Sequence, residues 1–162
     1  MKKIFLGSVL ACLSLCSTLQ ADIFVKGASN VGFSLGAATS YGNNYTLLGV
    51  SGNYFVVDNV SVAGYYRGWF GASPEQHELS VGINYFLPLA QKFRPYGGVF
   101  VRENFVSGYD NFGAYGIRGG VSLVQSTNSY ISFGYAYERY TNCHYDGECS
   151  NSYPEIVAGF SF

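Results

Sequence analysis

The chain has 162 residues, a formal net charge of −1 at pH 7, 12% charged residues and 18% aromatic residues. A soluble domain typically carries about 25% charged residues, so this chain has too little charge to cover a water-facing exterior. The mild net charge also argues against nucleic acid as a partner, because nucleic-acid binding calls for a basic patch.

The N-terminus has the pattern of a secretory signal peptide. Two lysines precede a mainly apolar run over residues 4–15, and residues 17–21 are smaller and more polar. We expect cleavage after residue 21, which leaves residues 22–162 as one domain. The apolar run is too short to span a bilayer core of about 30 Å as a helix. Lipidation at Cys12 or Cys16 is the alternative to simple cleavage.

Eight segments then alternate apolar residues with small or polar ones, which is the pattern of a β-strand. In chain order they cover residues 29–40, 45–56, 60–70, 77–86, 93–104, 112–123, 129–140 and 153–162. No segment carries an apolar stripe at helical spacing, and no apolar run is long enough for a transmembrane helix. A secreted, charge-poor, aromatic-rich chain of this kind predicts an all-β fold, an eight-stranded antiparallel up-and-down transmembrane β-barrel. The edge strand of a soluble sandwich is the alternative for the last segment.

An even number of strands brings both chain ends to the same side of the membrane. The turns at Asp58, Pro88 and Ser126 then share the periplasmic side with the termini. The other four connections face outward, and the longest of them covers residues 141–152.

The charged residues indicate which face of each strand is inside the barrel. Within strands 60–70, 77–86, 112–123 and 129–140, the parity that begins at Val60, Leu79, Tyr115 and Ile131 is apolar and suits lipid. The other parity combines small residues with a few charges, which suits the crowded lumen of an eight-stranded barrel. We call its charged members the charge belt: Arg67, Glu78, Arg102, Arg118, Glu138 and Glu155.

The positions of these charges along the chain predict one belt in the outer half of the lumen. Arg67 and Glu78 are mirrored about the loop between their strands, Glu78 and Arg102 about the next turn, and Glu138 and Glu155 about the last loop. Buried charges must pair to be tolerated, so we expect ion pairs that fill the lumen and leave no open pore. Charges at unrelated heights, each facing lumen water, are the alternative.

Aromatic residues cluster near the strand ends, where interfacial girdles anchor barrels at headgroup level. We assign eight of them to girdles: Tyr65, Tyr66, Trp69, Phe70, Tyr85, Phe86, Tyr137 and Tyr140. Ordinary strand packing is the alternative.

Two cysteines lie in the longest outer loop, in a compartment where disulfides persist. We predict that Cys143 and Cys149 are bonded, with the Asp–Gly pair between them as the turn. A metal site is the alternative, because all the candidate side chains there are ligand types. Its members would be Cys143, His144, Asp146, Glu148 and Cys149. We predict no metal and no other cofactor.

Enzymes exist among small outer-membrane barrels, so catalytic groups need to be considered. His77, Glu78 and Ser80 are the residue types of a hydrolytic triad. However, His77 and Glu78 are adjacent on a strand and therefore point to opposite faces. We predict that the chain is not an enzyme, with a lipid-modifying enzyme as the alternative and a small channel as a third possibility.

Three stretches carry a resemblance to a known superfamily. Residues 54–62, YFVVDNVSV, look like the strand–turn–strand of small outer-membrane barrels of the OmpA/OmpX and opacity-protein type. Residues 94–99, RPYGGV, are similar to the start of a later strand in the same superfamily. The ending at Gly159, Phe160 and Phe162 resembles its C-terminal assembly signal.

This resemblance implies a location in the bacterial outer membrane and insertion by the barrel-assembly machinery. It implies contact with outer-membrane lipids and lipopolysaccharide. It also implies a structural or surface role, with adhesion to a host or another surface through short outer loops.

Overall fold

The fold is known from a computed structural model that describes residues 23–40, 42–141 and 149–162. Eight strands form one closed, all-antiparallel barrel in which each strand pairs with its neighbours in chain order. They are β1 Ser29–Ser40, β2 Asn43–Val57, β3 Val60–Phe70, β4 Gln76–Phe86, β5 Phe93–Val106, β6 Phe112–Ser126, β7 Ser129–Tyr140 and β8 Ser150–Ser161. The predicted fold class is confirmed.

The strand boundaries follow the alternation closely. The predicted bounds of β1, β3 and β7 are the observed ones, whereas β2, β4, β5 and β6 run further than predicted. The final strand, Ser150–Ser161, begins three residues earlier and ends one residue earlier than the predicted segment 153–162. Each barrel strand forms backbone hydrogen bonds with two neighbouring strands, so it can continue through residues whose side chains are polar.

The barrel has two different ends. The turn end carries residues 23–28, the C-terminus and the connections after β2, β4 and β6. The loop end carries the other connections. At the turn end, Asn59 adopts a φ of 65°, a left-handed conformation that asparagine tolerates better than most residues.

β1 and β8 close the barrel through six registered pairs, from Asn30↔Ser161 to Leu35↔Ile156. The ladder between β7 and β8 continues past that point through Pro154, which lies opposite Tyr135. Proline has no N–H to donate, so β8 can pair with β7 at this position while its pairing with β1 ends. The closing seam is therefore shorter than the other ladders.

The two faces of the strands differ as expected for a barrel in lipid. Large apolar side chains project outward along every strand, and Leu79, Val81, Val99, Val101 and Ile117 each expose 55–59% of their surface. Alternate positions point inward and are buried. Among the described residues there is no helix long and apolar enough to cross a membrane.

Candidate functional site

The charge belt lies inside the barrel. Its six side chains are 1–8% exposed, and all of them occupy the inward parity of their strands. A buried ion is tolerated only when it is paired and hydrogen-bonded, so the contacts among these groups decide what the lumen can do.

Two of the arginines make close ion pairs across the lumen. Arg102 Nη1 lies 2.6 Å from Glu138 Oε2 and 3.1 Å from Glu78 Oε2. Arg67 Nη2 lies 2.8 Å from Glu155 Oε1, and Arg67 Nη1 lies 3.7 Å from Glu78 Oε2. Arg102 on β5 thus reaches β7, and Arg67 on β3 reaches β8. These contacts bridge strands that are not neighbours in the sheet, and they occupy the space a channel would need.

The third arginine is held differently. Arg118 Nη1 lies 3.6 Å from Glu155 Oε2, beyond hydrogen-bonding distance. Its guanidinium packs against aromatic faces instead, with Cζ 4.1 Å from the ring centre of Tyr65 and 4.5 Å from that of Phe100. Such cation–π contacts stabilise a desolvated guanidinium without satisfying its N–H donors.

The mirror positions inferred from the sequence hold for only one pair. Arg67 and Glu78 are directly opposite on β3 and β4. Arg102 is instead opposite Ser80, two residues from Glu78, and Glu155 is opposite Gly134, four residues from Glu138. The reason is that the register of β4 with β5, and that of β7 with β8, is not centred on the midpoint of the loop predicted between the two strands. The stagger of the barrel and the length of the side chains bring the charges together regardless.

Several aromatic residues assigned to the girdles lie inside the barrel. Trp69 is 3% exposed and Phe86 is 5% exposed, and Tyr65 shares the inward parity. Tyr140 also has the inward parity of β7. In contrast, Tyr66, Phe70, Tyr85 and Tyr137 face outward and are 44–48% exposed. The assignment was wrong for the inward-facing residues. It considered how near each residue lies to a strand end, but not which face of the strand the residue occupies.

Two of the inward aromatic residues complete the belt. Trp69 Nε1 donates a hydrogen bond of 2.6 Å to Glu78 Oε1, and Arg102 Nη2 donates one of 2.6 Å to the Tyr153 hydroxyl. Tyr153 also lies under Arg67, whose Cζ is 4.7 Å from the ring centre. Both residues share the parity of a belt member on their own strand, which is the signal that could have found them.

A segment before β1 closes the turn end of the lumen. Ile23 and Phe24 are 1% and 2% exposed and pack with Phe55, Phe86 and Tyr130. We call Ile23, Phe24 and the cluster they join the N-terminal plug. Backbone bonds fix it, because Asn59 N donates to Phe24 O at 2.7 Å and Gly27 N donates to Phe55 O at 2.8 Å.

The loop end is closed by a second apolar cluster. Tyr45, Leu47 and Trp69 are buried together there. The Tyr45 hydroxyl donates to the backbone oxygen of Pro74 at 3.2 Å, which ties the connection between β3 and β4 over this cluster. Side chains therefore fill the lumen at both ends as well as at its centre.

The described residues line at least two small cavities. One of about 30 Å³ lies between the charge belt and the N-terminal plug, and one of about 10 Å³ lies beside Gly36 and Pro154 at the β1–β8 seam. A cavity needs roughly 10–15 Å³ to hold one water molecule. These volumes therefore suit one or two water-sized occupants.

The eight-stranded fold is shared with solved barrels. The β-barrel domain of OprF from Pseudomonas aeruginosa matches with a TM-score of 0.67 and 17% identity over 85% of this chain and 98% of that one. The P. aeruginosa outer membrane protein OprH matches with a TM-score of 0.64 and 18% identity over 84% and 100%. The Yersinia pestis attachment invasion locus protein Ail, solved with the heparin analogue sucrose octasulfate, matches with a TM-score of 0.53 and 14% identity over 85% and 100%.

This chain has the fold of the small eight-stranded outer-membrane barrels. No model of a known protein family matches its sequence, and no curated protein matches it either. The resemblance read from the sequence is confirmed as a likeness of fold. An exterior of exposed Leu, Val, Ile and Phe side chains requires lipid around it, so the barrel is a membrane-spanning one of the outer-membrane type.

The candidate catalytic residues of this outer-membrane-type barrel are separated by the sheet. His77 lies on the outward face of β4, where its ring stacks on Tyr66 and its Nδ1 lies 2.9 Å from the Tyr66 hydroxyl. Ser80 and Glu78 point inward and are buried. The wall of the barrel therefore stands between the imidazole and the other two groups.

The cysteine loop is only partly described. Cys149 is within the described residues, whereas Cys143, His144, Asp146 and Glu148 lie outside them. The disulfide and the alternative metal site both depend on those residues, so the Cys143–Cys149 bond stays a prediction. In the described part of the chain, no group of three or more metal-ligating side chains comes together.

The C-terminal residues lie at the closing seam. Phe160 and Phe162 are 45% and 40% exposed on the outside of the barrel. Gly159 points inward, where the ring of Tyr130 occupies the space that a side chain would need. The close approach of Tyr130 explains why position 159 is a glycine.

Proposed function

We propose that this protein is a closed barrel of the bacterial outer membrane with a structural and surface role. The observation that carries the proposal is the filled lumen. Ion pairs link β3, β4, β5, β7 and β8 across it. The N-terminal plug lies at one end, and the cluster of Tyr45, Leu47 and Trp69 lies at the other. A cross-linked lumen stabilises a membrane-spanning wall and does not conduct.

Single-channel recording on the purified, refolded barrel tests this proposal. We expect no stable open state, because the lumen is filled by side chains and the two cavities found among the described residues suit only one or two water-sized occupants. A steady conductance from the folded monomer would contradict the closed lumen and favour a small channel. A variant that lacks residues 22–25, and hence part of the N-terminal plug, is the matched comparison for leak currents.

The proposed orientation places the turn end in the periplasm and the loop end outside the cell. The outward apolar residues then contact membrane lipids, including lipopolysaccharide in the outer leaflet. Phe160 and Phe162, exposed at the end of β8, are proposed to be read by the barrel-assembly machinery.

Cleavage after residue 21 and the Cys143–Cys149 bond complete the proposed maturation. The intact mass of the mature protein without reductant, with a thiol count, checks both.

Adhesion through the outer connections is the second candidate function. Its support is the fold shared with Ail, which was solved with a heparin analogue. The loop end of this chain is acidic on balance, because its described exposed residues include Glu75, Glu103 and Asp110 against Arg139. An acidic rim repels a polyanion, so we propose a neutral or cationic surface ligand instead.

A deletion strain separates the structural role from adhesion. We expect the strain to become more sensitive to detergents and to large antibiotics, with recovery when the gene is restored. Loss of cell binding without loss of membrane integrity would support adhesion alone. Retention of expressing cells on heparin, above that of the deletion strain, would contradict the proposed ligand charge.

We also propose that the protein is not an enzyme and uses no cofactor. Support comes from the separation of His77 from Ser80 and Glu78 by the barrel wall. Mass spectrometry of lipid A from overexpressing and deletion strains tests this. Identical lipid A species are expected, and a new species that disappears in His77→Ala cells would favour the lipid-modifying enzyme.

A further inference from the structure

The cavity of about 30 Å³ has a polar lining on one side. The belt residues Arg118 and Glu155 border it from one end, and Phe86, Tyr96 and Tyr130 border it from the end of the N-terminal plug. The side chains of Ser51, Tyr65 and Asn84 complete the polar part of the wall. A partly polar space of this size can hold a small hydrophilic guest.

Arg118 lines this cavity and carries unsatisfied donors. Its residue is 6% exposed, and both Nε and Nη2 lack a hydrogen-bond partner within the described structure. These two N–H groups lie on one edge of the guanidinium and form the fork that binds anions through two parallel bonds. The ion pair with Glu155 uses Nη1 instead, at 3.6 Å, so it leaves this fork unused. Arg67 and Arg102 differ, since each has an ion pair of 2.8 Å or less.

The interior also has an excess positive charge. Inward-facing arginines on the described strands are Arg67, Arg94, Arg102 and Arg118, whereas the inward-facing carboxylates are Glu78, Glu138 and Glu155. Arg94 lies at the turn end, where its Cζ is 5.5 Å from the ring centre of Phe24 and its buried Nε has no partner among the described residues. Arg94 is only partly buried, and its Nη1 donates to Asn59 Oδ1 at 3.0 Å. One monovalent anion near the belt would balance the inward-facing charges, because net charge away from water is costly.

We propose that this cavity is a binding site for a small monovalent anion of the halide class, held in the Nε–Nη2 fork of Arg118. Hydroxyl groups of Ser51 and Tyr96 on the cavity wall supply further donors. The carboxylate of Glu155 also borders the cavity, but its Oε1 is bonded to Arg67 at 2.8 Å. The cavity volume of about 30 Å³ suits one or two water-sized occupants, which favours a small spherical anion over a bulkier one.

Anomalous diffraction from crystals of the full barrel grown in bromide tests the site. We expect one bromide peak in hydrogen-bonding contact with Arg118 Nε and Nη2, and no peak at that position in Arg118→Lys, which keeps the charge and loses the fork. Arg139→Lys, an exposed position on the outside of β7, is the control and should retain the peak. Water density without an anomalous signal, or bromide at the protein surface as an adventitious ion only, would overturn the proposal.

Heat stability of the wild-type barrel gives a second measurement, which does not depend on whether Arg118→Lys folds. A ligand that binds only the folded state raises the unfolding midpoint with its concentration. We expect the temperature at which the folded gel band is lost to rise in chloride relative to gluconate at equal ionic strength. Arg139→Lys should show the same rise. Equal midpoints in the two salts would overturn the proposal.

Discussion

Single side chains in the belt are held by several partners at once, which makes their loss costly. Arg102 contacts Glu78 and Glu138 and donates to the Tyr153 hydroxyl. Removing one partner of a buried ion pair costs about 3–5 kcal/mol, because the other charge stays buried and uncompensated. We therefore expect Arg102→Met to lower the free energy of unfolding by about that amount, measured by urea unfolding in lipid vesicles.

The control for this variant is Arg139→Met, at an exposed outward position where no ion pair is present among the described contacts. Such surface changes usually stay within about 0.5 kcal/mol. In the Arg102→Met background, the additional change Glu138→Gln should recover part of the loss, because it removes a charge without a partner. Equal stabilities of Arg102→Met and the wild type would show that the belt does not stabilise the barrel.

Trp69 makes the placement of one inward side chain directly measurable, since it is the only tryptophan. It is 3% exposed and donates to Glu78, so lipid cannot reach its ring. We expect its fluorescence in brominated phospholipid vesicles to be hardly quenched. In the paired variant Trp69→Phe with Phe70→Trp, the indole moves to a side chain that is 48% exposed on the outer face, and strong quenching is expected. Equal quenching of the two proteins would show that Trp69 contacts lipid and belongs to the girdle.

At the scale of elements, the N-terminal plug depends on a segment with no secondary structure. Phe24 packs on Phe55 and Phe86 with ring centres 5.7 and 4.6 Å away. Removing a buried phenylalanine side chain typically costs about 3–5 kcal/mol. We expect Phe24→Ala to reduce the free energy of unfolding by about that amount, measured as for the belt variants.

Lys26 supplies the comparison within the same segment. Its side chain is exposed, and its backbone N donates to Asp58 Oδ1 at 2.8 Å, a contact that Lys26→Ala retains. We expect this variant to unfold like the wild type. If Phe24→Ala also matches the wild type, the plug is not coupled to the stability of the barrel.

At the scale of the whole molecule, the alternation of residue types determines most of what could be predicted. Strand number, antiparallel order and inward parity all follow from a period of two and from where the charges fall. The contact between Arg67 and Glu155 could not be predicted, because it depends on barrel stagger between strands distant in the chain. Ile23 and Phe24 were also missed, since an irregular segment carries no periodic signal.

The C-terminus combines closure of the barrel with the proposed assembly signal, so changes there should affect the whole molecule. Phe162 N donates to Ser29 O at 3.0 Å, and Ser161 N donates to Asn128 O at 2.8 Å, which fixes the last residues between β1 and the β6–β7 turn. A hydrophilic tag after Phe162 must pass out of this seam beside lipid-exposed aromatic residues. We expect it to reduce the amount of heat-modifiable barrel in the outer membrane more than the same tag at 107–111, an exposed connection at the loop end. Both tagged proteins should refold alike in detergent if the defect lies in recognition during assembly, and equal membrane yields would contradict the proposed signal.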